Sequence, residues 1–247
     1  MTLKKDLFYT DDLAYIHDVG FGEFALKSAP GLLNILRQRK IFAGLVVDLG
    51  CGSGLWAREL TQAGYDVLGI EQSAAMIEIA RKKTPKARFK KDSFLKAKLP
   101  LCDAVTSLGE CFNYLFDKKN SKKELTLLFS RVYDALRPGG LFIFDVVEPG
   151  QITGSTPNMR HSQGQDWAIL LQVNEDPKIN TLTRKMTIFR KAGKLYRRSE
   201  ETHRLQLYKG SEIAAILRRI GFHVRVIRGY GKLRFRKAHV GFIARKP

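Results

Sequence analysis

The chain of 247 residues lacks the features that mark membrane-spanning, secreted and disulfide-stabilised proteins. No apolar run approaches the roughly 20 residues that a helix needs to cross a bilayer, and no apolar segment follows Met1 that would serve as a signal peptide. Cysteines are few and odd in number, and Cys51, Cys102 and Cys111 lack the paired spacing of a zinc site. We therefore expect reduced thiols, a cytoplasmic location, no membrane segment and no bound metal.

Acidic residues are scarce in the last part of the chain. Residues 151–247 contain 21 Lys and Arg against 6 Asp and Glu, whereas residues 1–150 contain 22 against 18. The net charge of +19 fits an anionic partner such as nucleic acid, a membrane surface or an acidic small substrate. The alternative is a well-solvated surface, because the basic residues are spread along the chain and form no single run.

Short apolar segments alternate with amphipathic segments through the first 150 residues. Strands are predicted at Leu45–Leu49, Asp66–Ile70, Arg88–Lys91, Ala104–Leu108 and Leu141–Val147. Helices are predicted at Leu55–Ala63, from a cap at Ser73 to about Lys83, and at Lys122–Leu136. This alternation predicts βαβ units, with helices on both faces of a parallel sheet. Ligands of such sheets bind beyond the carboxyl ends of the strands.

The pattern changes after Gly150. Polar and apolar residues alternate in Trp167–Asn174, Thr181–Arg190 and Leu195–Leu207, which indicates antiparallel strands. A helix at Ser211–Ile220 and a strand pair at His223–Gly229 and His239–Arg245 follow. We therefore predict one domain from residues 1–150 and 209–247, with residues 151–208 inserted as an antiparallel lobe that caps the ligand site.

A glycine-rich loop, Asp48-Leu49-Gly50-Cys51-Gly52-Ser53-Gly54, joins the first strand to the first helix. Glycines let the backbone turn tightly and approach a ligand, and the helix behind them points free N–H groups at it. Glu71 ends the second strand, where its carboxylate can accept two hydrogen bonds from a ribose diol. A dinucleotide site would have its third glycine at position 55, one place after Gly54.

This pattern resembles class I S-adenosylmethionine-dependent methyltransferases, whose first motif is an acidic residue followed by Gly-x-Gly-x-Gly. The resemblance covers nearly the whole chain, and includes Glu71, Lys91-Asp92-Ser93, Leu136-Arg137-Pro138-Gly139-Gly140 and the terminal strand pair. It implies an α/β fold with a doubly wound, mostly parallel, seven-stranded Rossmann-like sheet whose last strand is antiparallel. It also implies S-adenosyl-L-methionine as the cofactor.

The resemblance further implies a role for each position of the loop. Gly50, Gly52 and Gly54 would line the methionine and ribose parts of the cofactor. Asp48 would orient the loop and reach the amino group, and Glu71 would hold the ribose hydroxyls.

The remaining cofactor contacts implied by the resemblance lie on later strands and at the start of the chain. Asp92 would receive the adenine amino group, with Ser93 beside it. Leu108 or Gly109 would offer its backbone to the methionine end. The stretch from Tyr9 to Phe24 resembles helices that close over the cofactor, and within it Tyr15 is a candidate contact, with plain packing as the alternative.

Candidate catalytic residues follow the fourth and fifth strands. Methyl transfer is an in-line displacement from a sulfonium, so the protein mainly aligns the acceptor and excludes water. A general base helps when the acceptor is a hydroxyl. Glu110, Asn113, Tyr114 and Glu148 are the candidates, each with a structural role as the alternative. Cys111 has no evident neighbouring base and is a poor candidate for a covalent nucleophile.

The leading functional hypothesis is transfer of a methyl group to N or O of a small molecule, because an inserted lobe and an N-terminal cover suit an enclosed substrate. The second hypothesis is a nucleic-acid methyltransferase, favoured by the basic last third. It lacks support from an Asn/Asp-Pro-Pro-aromatic motif or a Pro-Cys nucleophile. The third is a cofactor-binding protein without turnover. The methyl acceptor and the oligomeric state stay open.

Overall fold

The computed structural model describes residues 8–117, 119–152 and 158–247. The first elements are α1 (Asp11–Gly20), α2 (Glu23–Gln38), β1 (Leu45–Leu49), α3 (Leu55–Gln62), β2 (Asp66–Glu71), α4 (Ala74–Lys83), β3 (Arg88–Lys91), β4 (Cys102–Ser107), a 3-10 turn at Cys111–Asn113, α5 (Lys122–Ala135) and β5 (Leu136–Val147). Next come β6 (Asn158–Gln163), β7 (Trp167–Asp176), β8 (Thr181–Ala192), β9 (Leu195–Gln206), α6 (Gly210–Ile220), β10 (His223–Ile227), β11 (Gly229–Tyr230), β12 (Leu233–Arg234) and β13 (His239–Arg245).

Within the described ranges the main sheet has seven strands, in the order β10-β13-β5-β4-β1-β2-β3. Strands β1 to β5 pair in parallel, whereas β13 is antiparallel to both β5 and β10. The predicted Rossmann-like sheet with an antiparallel last strand is thus confirmed. The strand order reverses between β1 and β4, so the carboxyl ends of these two strands mark the expected ligand crevice.

The sheet is buried on both faces, because side chains of one strand alternate between two layers of helices. In β5, Phe142 and Phe144 belong to one core with α5 and α6, whereas Ile143 belongs to the other with α2 and α3. This explains why the central strand β1 and the second half of β5 are mostly apolar in the sequence. No helix in the described part of the chain is both long and apolar enough to cross a membrane.

A second, antiparallel sheet has the strand order β6-β7-β8-β9. Its apolar face includes Trp167 of β7 and Ile188 of β8, which pack against Leu13 and Ile16 of α1. The predicted antiparallel insertion is therefore present, and it packs on the N-terminal helix. The division of the chain at residues 151 and 208 stays a prediction, and residues 1–7, 118 and 153–157 of the predicted units lie outside the described ranges.

Candidate active site

The glycine loop is tied to the end of β2 and leaves a free space in front of it. The backbone N–H groups of Gly50 and Cys51 donate to the carbonyl of Ile70, with N···O distances of 2.7 and 3.2 Å. Gly50 and Gly52 have φ angles of +74° and +52°, which favour glycine. A Cβ at Gly50 would lie 2.6 Å from the Cys111 sulfur, whereas a Cβ at Gly52 would meet no atom of the described residues within 4 Å. Gly52 therefore borders open space that a ligand can fill, and we call this space in front of the glycine loop the cradle.

Glu71 lies at the rim of this cradle. Its carboxylate accepts hydrogen bonds from the backbone N–H groups of Gly52, Gln72 and Ser73, at 3.2, 2.7 and 2.8 Å. Burial raises the pKa of Glu71, and the three N–H bonds oppose that effect. A carboxylate has about four lone-pair positions, so Glu71 retains acceptor capacity for a ligand hydroxyl.

Asp48 is buried beneath the loop. Its Oδ1 accepts a hydrogen bond from the Thr106 hydroxyl at 2.8 Å, and that hydroxyl accepts one from Trp56 Nε1 at 3.1 Å. Burial raises the pKa of Asp48 to about 7; the Thr106 hydrogen bond lowers it and the charge of Glu71 raises it. A ligand ammonium group beside Asp48 would favour the ionised carboxylate. The cradle thus suits a ligand with a cationic amino group.

Asp92 and Ser93 follow β3 at the same edge of the sheet. The backbone N–H of Asp92 donates to the carbonyl of Glu71 at 3.0 Å. Asp92 Oδ1 accepts from the Ser93 N–H at 2.8 Å, and Asp92 Oδ2 lies 2.7 Å from Lys90 Nζ. The Ser93 hydroxyl donates to Asp117 at 2.8 Å. Both residues are placed beside Glu71, and their contacts with adenine stay a prediction.

Residues 46–140, which hold the glycine loop, Glu71 and Asp92, match the model of a family described as a methyltransferase domain. A putative methyltransferase of Bacillus subtilis, YqeM, is 26% identical over 189 residues, which are 73% of this chain and 74% of that protein. The dTDP-3-amino-3,4,6-trideoxy-alpha-D-glucopyranose N,N-dimethyltransferase of Streptomyces venezuelae is 25% identical over 230 residues, 90% of this chain and 94% of that one.

The fold is also that of a solved S-adenosylmethionine-dependent methyltransferase from Clostridium acetobutylicum. The TM-score is 0.79 at 19% identity, over 94% of this chain and 97% of the other. Residues 46–140 therefore form a methyltransferase domain, and the chain has the fold of an S-adenosylmethionine-dependent methyltransferase. The open cradle at Gly52, the buried Asp48 and the rim carboxylate Glu71 fit S-adenosyl-L-methionine as the cofactor of this methyltransferase.

Leu108 and Cys111 of the methyltransferase lie in the turn after β4. The Cys111 thiol lies 3.1 Å from the carbonyl of Leu108 and 3.6 Å from that of Gly50, so this turn packs directly on the glycine loop. Burial raises the pKa of Cys111 well above its ordinary value, which keeps the thiol protonated and weakens it as a nucleophile. The backbone contact predicted for Leu108 stays a prediction.

Glu110 and Tyr114 meet a residue that the sequence did not indicate. Arg184 of β8 lies 2.9 Å from Glu110 Oε1 and donates to the Tyr114 hydroxyl at 2.9 Å. The side chains of Glu110 and Arg184 are each 17% exposed. The negative charge of Glu110 is thus neutralised by Arg184, which belongs to the second sheet. The ion pair joins that sheet to the turn after β4, and Glu110 is better placed to position groups than to act as a free base.

Two of the candidate catalytic residues, Asn113 and Glu148, make structural contacts. Asn113 is fully buried; its amide donates to the carbonyls of Val147 and Gln206 at 3.0 and 2.7 Å and accepts from the Val147 N–H at 3.0 Å. It therefore fixes the 3-10 turn to the sheets. Glu148 accepts from the first N–H of α6, that of Gly210, at 2.8 Å, and from Arg228 at 2.7 Å. Glu148 therefore caps α6.

Tyr15 is a candidate cofactor contact with packing as the alternative, and its observed contacts are packing contacts. Its hydroxyl lies 3.2 Å from Asp166 Oδ2, and the Arg190 guanidinium lies 3.8 Å from the centre of its ring, so Tyr15 contacts the second sheet. Tyr9 instead reaches the cofactor edge, because its carbonyl accepts a hydrogen bond from the Ser73 hydroxyl at 2.8 Å. Tyr9 lies just before α1, whereas Tyr15 lies within that helix.

Aromatic side chains from three distant segments cover the turn after β4. We call them the aromatic wall; neighbouring ring centroids lie 4.1 to 6.4 Å apart, and the members are Phe8, Tyr9, Tyr114, Phe116 and His203. Glu201 of β9 fixes the wall, since it accepts from the Tyr9 N–H at 2.8 Å and lies 2.8 Å from His203 Nε2. No local sequence signal marks this cluster, because its members are up to 195 positions apart in the chain.

We expect replacement of Glu71 by Gln to weaken S-adenosylhomocysteine binding about 10-fold or more, because the amide lacks the charge and one of the acceptor oxygens. Isothermal titration calorimetry measures the change. Glu78→Gln is the matched control, since Glu78 is exposed on α4. Equal affinities of the two variants would show that Glu71 does not hold the cofactor.

Proposed function

We propose that this methyltransferase transfers the methyl group of S-adenosylmethionine to a nitrogen or oxygen atom of a small molecule. The observation that carries the proposal is the cover over the carboxyl edge of the main sheet. The N-terminal segment is held by Glu201, and the second sheet is held by the Arg184–Glu110 pair. An acceptor beneath these two covers is enclosed, which suits a small molecule better than a polymer.

The residues of the cradle have distinct tasks in this proposal. Glu71 and Asp92 would hold the nucleoside, and Asp48 would hold the amino group of the methionine part. The cofactor supplies a sulfonium methyl group as the electrophile. The aromatic wall excludes water, and Arg184 and Tyr114 offer hydrogen-bond donors to an acceptor. The Streptomyces relative is, by its name, a methyltransferase of an amino sugar nucleotide, which supports a small acceptor with an amino group.

The structure also accounts for part of the basic excess that favoured a nucleic acid. Many arginines of residues 151–247 face carboxylates of the same chain, and these pairs are Arg184–Glu110, Arg190–Asp166, Arg197–Asp12, Arg198–Glu200 and Arg228–Glu148. Paired arginines are less able to neutralise phosphates along a groove. This observation favours the small molecule over nucleic acid.

A labelled-methyl assay tests the proposal. The protein is incubated with S-adenosylmethionine that carries a deuterated methyl group, together with a panel of amino sugars, other amines and small alcohols, or with tRNA or duplex DNA near physiological salt. We expect labelled product by mass spectrometry in one small-molecule class and none in nucleic acid. Saturable label incorporation into tRNA or DNA would overturn the proposal.

A further inference from the structure

A buried carboxylate–imidazole pair lies beside the cradle. Asp145 of β5 is fully buried, and its Oδ2 lies 2.7 Å from His239 Nε2. Asp145 also accepts hydrogen bonds from the N–H groups of Gly109 and Glu110, at 3.1 and 2.8 Å, and from the Tyr230 hydroxyl at 3.1 Å. These donors hold the carboxylate in one orientation toward His239.

The hydrogen bond determines which nitrogen of His239 is free. An ionised carboxylate only accepts hydrogen bonds, so Nε2 carries the proton and the neutral ring has its lone pair on Nδ1. Nδ1 makes no hydrogen bond to any residue that the structure describes. The ring lies nearly parallel to those of Phe24 and Phe235, with centroid distances of 5.7 and 4.5 Å and interplanar angles of 16° and 12°, and these two rings contact each other at 6.2 Å. His239 is therefore a rigidly held imidazole with an unused basic nitrogen.

His239 lies at the carboxyl edge of the main sheet. It is the first residue of the antiparallel β13, and it is paired with Val147, the last residue of β5. A Cβ at Gly109 would lie 4.0 Å from Phe24 Cδ1, and no other atom of the described residues comes within that distance. The stacked rings of Phe24 and His239 and the backbone of Gly109 thus border one opening. That opening adjoins the turn whose Cys111 packs on Gly50, at the methionine end expected for the cofactor.

We propose that His239 is the general base of the methyl transfer and that Asp145 positions it; this inference rests on the proposed function. The lone pair of the acceptor nitrogen or oxygen attacks the methyl carbon. The carbon–sulfur bond breaks, and its electron pair stays on sulfur to give S-adenosylhomocysteine. The acceptor proton passes to Nδ1 of His239, and Asp145 stabilises the resulting imidazolium.

The charged groups around His239 set the pH range in which it can act. Burial alone would lower the pKa of His239, but the hydrogen bond and charge of Asp145 outweigh burial and raise the pKa above its ordinary value of 6.5. Glu110 adds to the rise, and Arg184 opposes it. Arg228 faces the same residue, since it donates to the His239 carbonyl at 3.2 Å. The base is available above this raised pKa, so the rate should fall as the pH falls through it.

A titration without any acceptor tests the position of His239. Imidazole resonances of the ¹⁵N-labelled protein are followed by NMR, and His239→Gln identifies the His239 signals. S-Adenosylmethionine carries a positive sulfonium, whereas S-adenosylhomocysteine is neutral at sulfur. A sulfonium close to the ring disfavours the imidazolium, so we expect the pKa of His239 to be lower in the S-adenosylmethionine complex by about 0.5 or more. His223, exposed at the opposite end of the sheet, is the control and should differ by much less.

The outcomes separate this inference from the proposed function. Calorimetry that shows no binding of either ligand contradicts the proposed function itself. Binding of both ligands with the same His239 pKa in each complex overturns only the role of His239. With the acceptor found by the labelled-methyl assay, His239→Gln should lower kcat about 100-fold or more and abolish its fall at acidic pH, while the Kd of S-adenosylhomocysteine stays unchanged. Unchanged kcat in this variant would also overturn the inference.

Discussion

Replacement of Gly52 by Val lowers the affinity of the methyltransferase for S-adenosylhomocysteine by at least about 100-fold. The backbone at Gly52 has a φ of +52°, which a β-branched residue adopts only with strain. Its side chain would also occupy the space in which the Cβ meets no atom of the described residues. The backbone strain and the loss of space for the ligand should both lower the affinity. Isothermal titration calorimetry measures this affinity.

Gly193→Val separates these two effects. Gly193 lies in the turn between β8 and β9 with a φ of +64°, and a Cβ there also meets no described atom within 4 Å. Both variants should lose a similar amount of stability, about 1 to 3 kcal/mol, because the backbone strain is alike. Only Gly52→Val should lose cofactor affinity. If the two variants bind S-adenosylhomocysteine equally well, the cofactor does not bind in the space beside Gly52.

Replacement of Arg184 by Met should lower the free energy of unfolding by about 3 kcal/mol. The change leaves the Glu110 carboxylate and the Tyr114 hydroxyl without their partner in a region where both charged side chains are mostly buried. Urea denaturation measures the loss. Lys185→Met is the matched control, because Lys185 is the next residue on β8 and is exposed; it should change the free energy by less than about 0.5 kcal/mol.

The pair Glu110→Gln and Arg184→Met forms a double-mutant cycle. The double variant should be more stable than the sum of the two single losses predicts, because Glu110→Gln removes the charge that Arg184→Met leaves unpaired. An additive cycle, or a loss for Arg184→Met no larger than that for Lys185→Met, would show that the ion pair does not join the second sheet to the turn after β4.

Most of the fold could be predicted because its strands and helices have strong local patterns. The predicted strand Leu45–Leu49 and the predicted helix Lys122–Leu136 correspond closely to β1 and α5. Strand β6 and the first residues of β5 are among the parts that could not be predicted in this way. Strand β6 has the exposed sequence Asn-Met-Arg-His-Ser-Gln, which shows no alternation. Strand β5 begins at Leu136 and not at the predicted Leu141, because the strand continues through Pro138-Gly139-Gly140. Its pairing with β4 shifts in register between Cys102 and Ala104.

The candidate site could likewise be predicted only where local sequence patterns determine it. The glycine loop, Glu71 and Asp92 could be predicted as neighbours, since successive parallel strands bring their carboxyl ends to one edge. Contacts made across long separations in the chain could not. Arg184 and His239 reach the site from the second sheet and the last strand, and their partners depend on side-chain direction, which no local period encodes. For the same reason, the sequence did not show that the amide of Asn113 is hydrogen-bonded to backbone groups of Val147 and Gln206.

The position of β13 has a consequence for how the protein is made. This strand follows all the other elements along the chain, yet in the sheet it lies between β5 and β10. While a ribosome is still adding these residues, β5 has an open edge and Asp145 has no imidazole partner. Such non-local pairing forms late and slowly. The nascent chain can therefore form its glycine loop early, but the opening beside Gly109 is completed only when synthesis has passed Arg245.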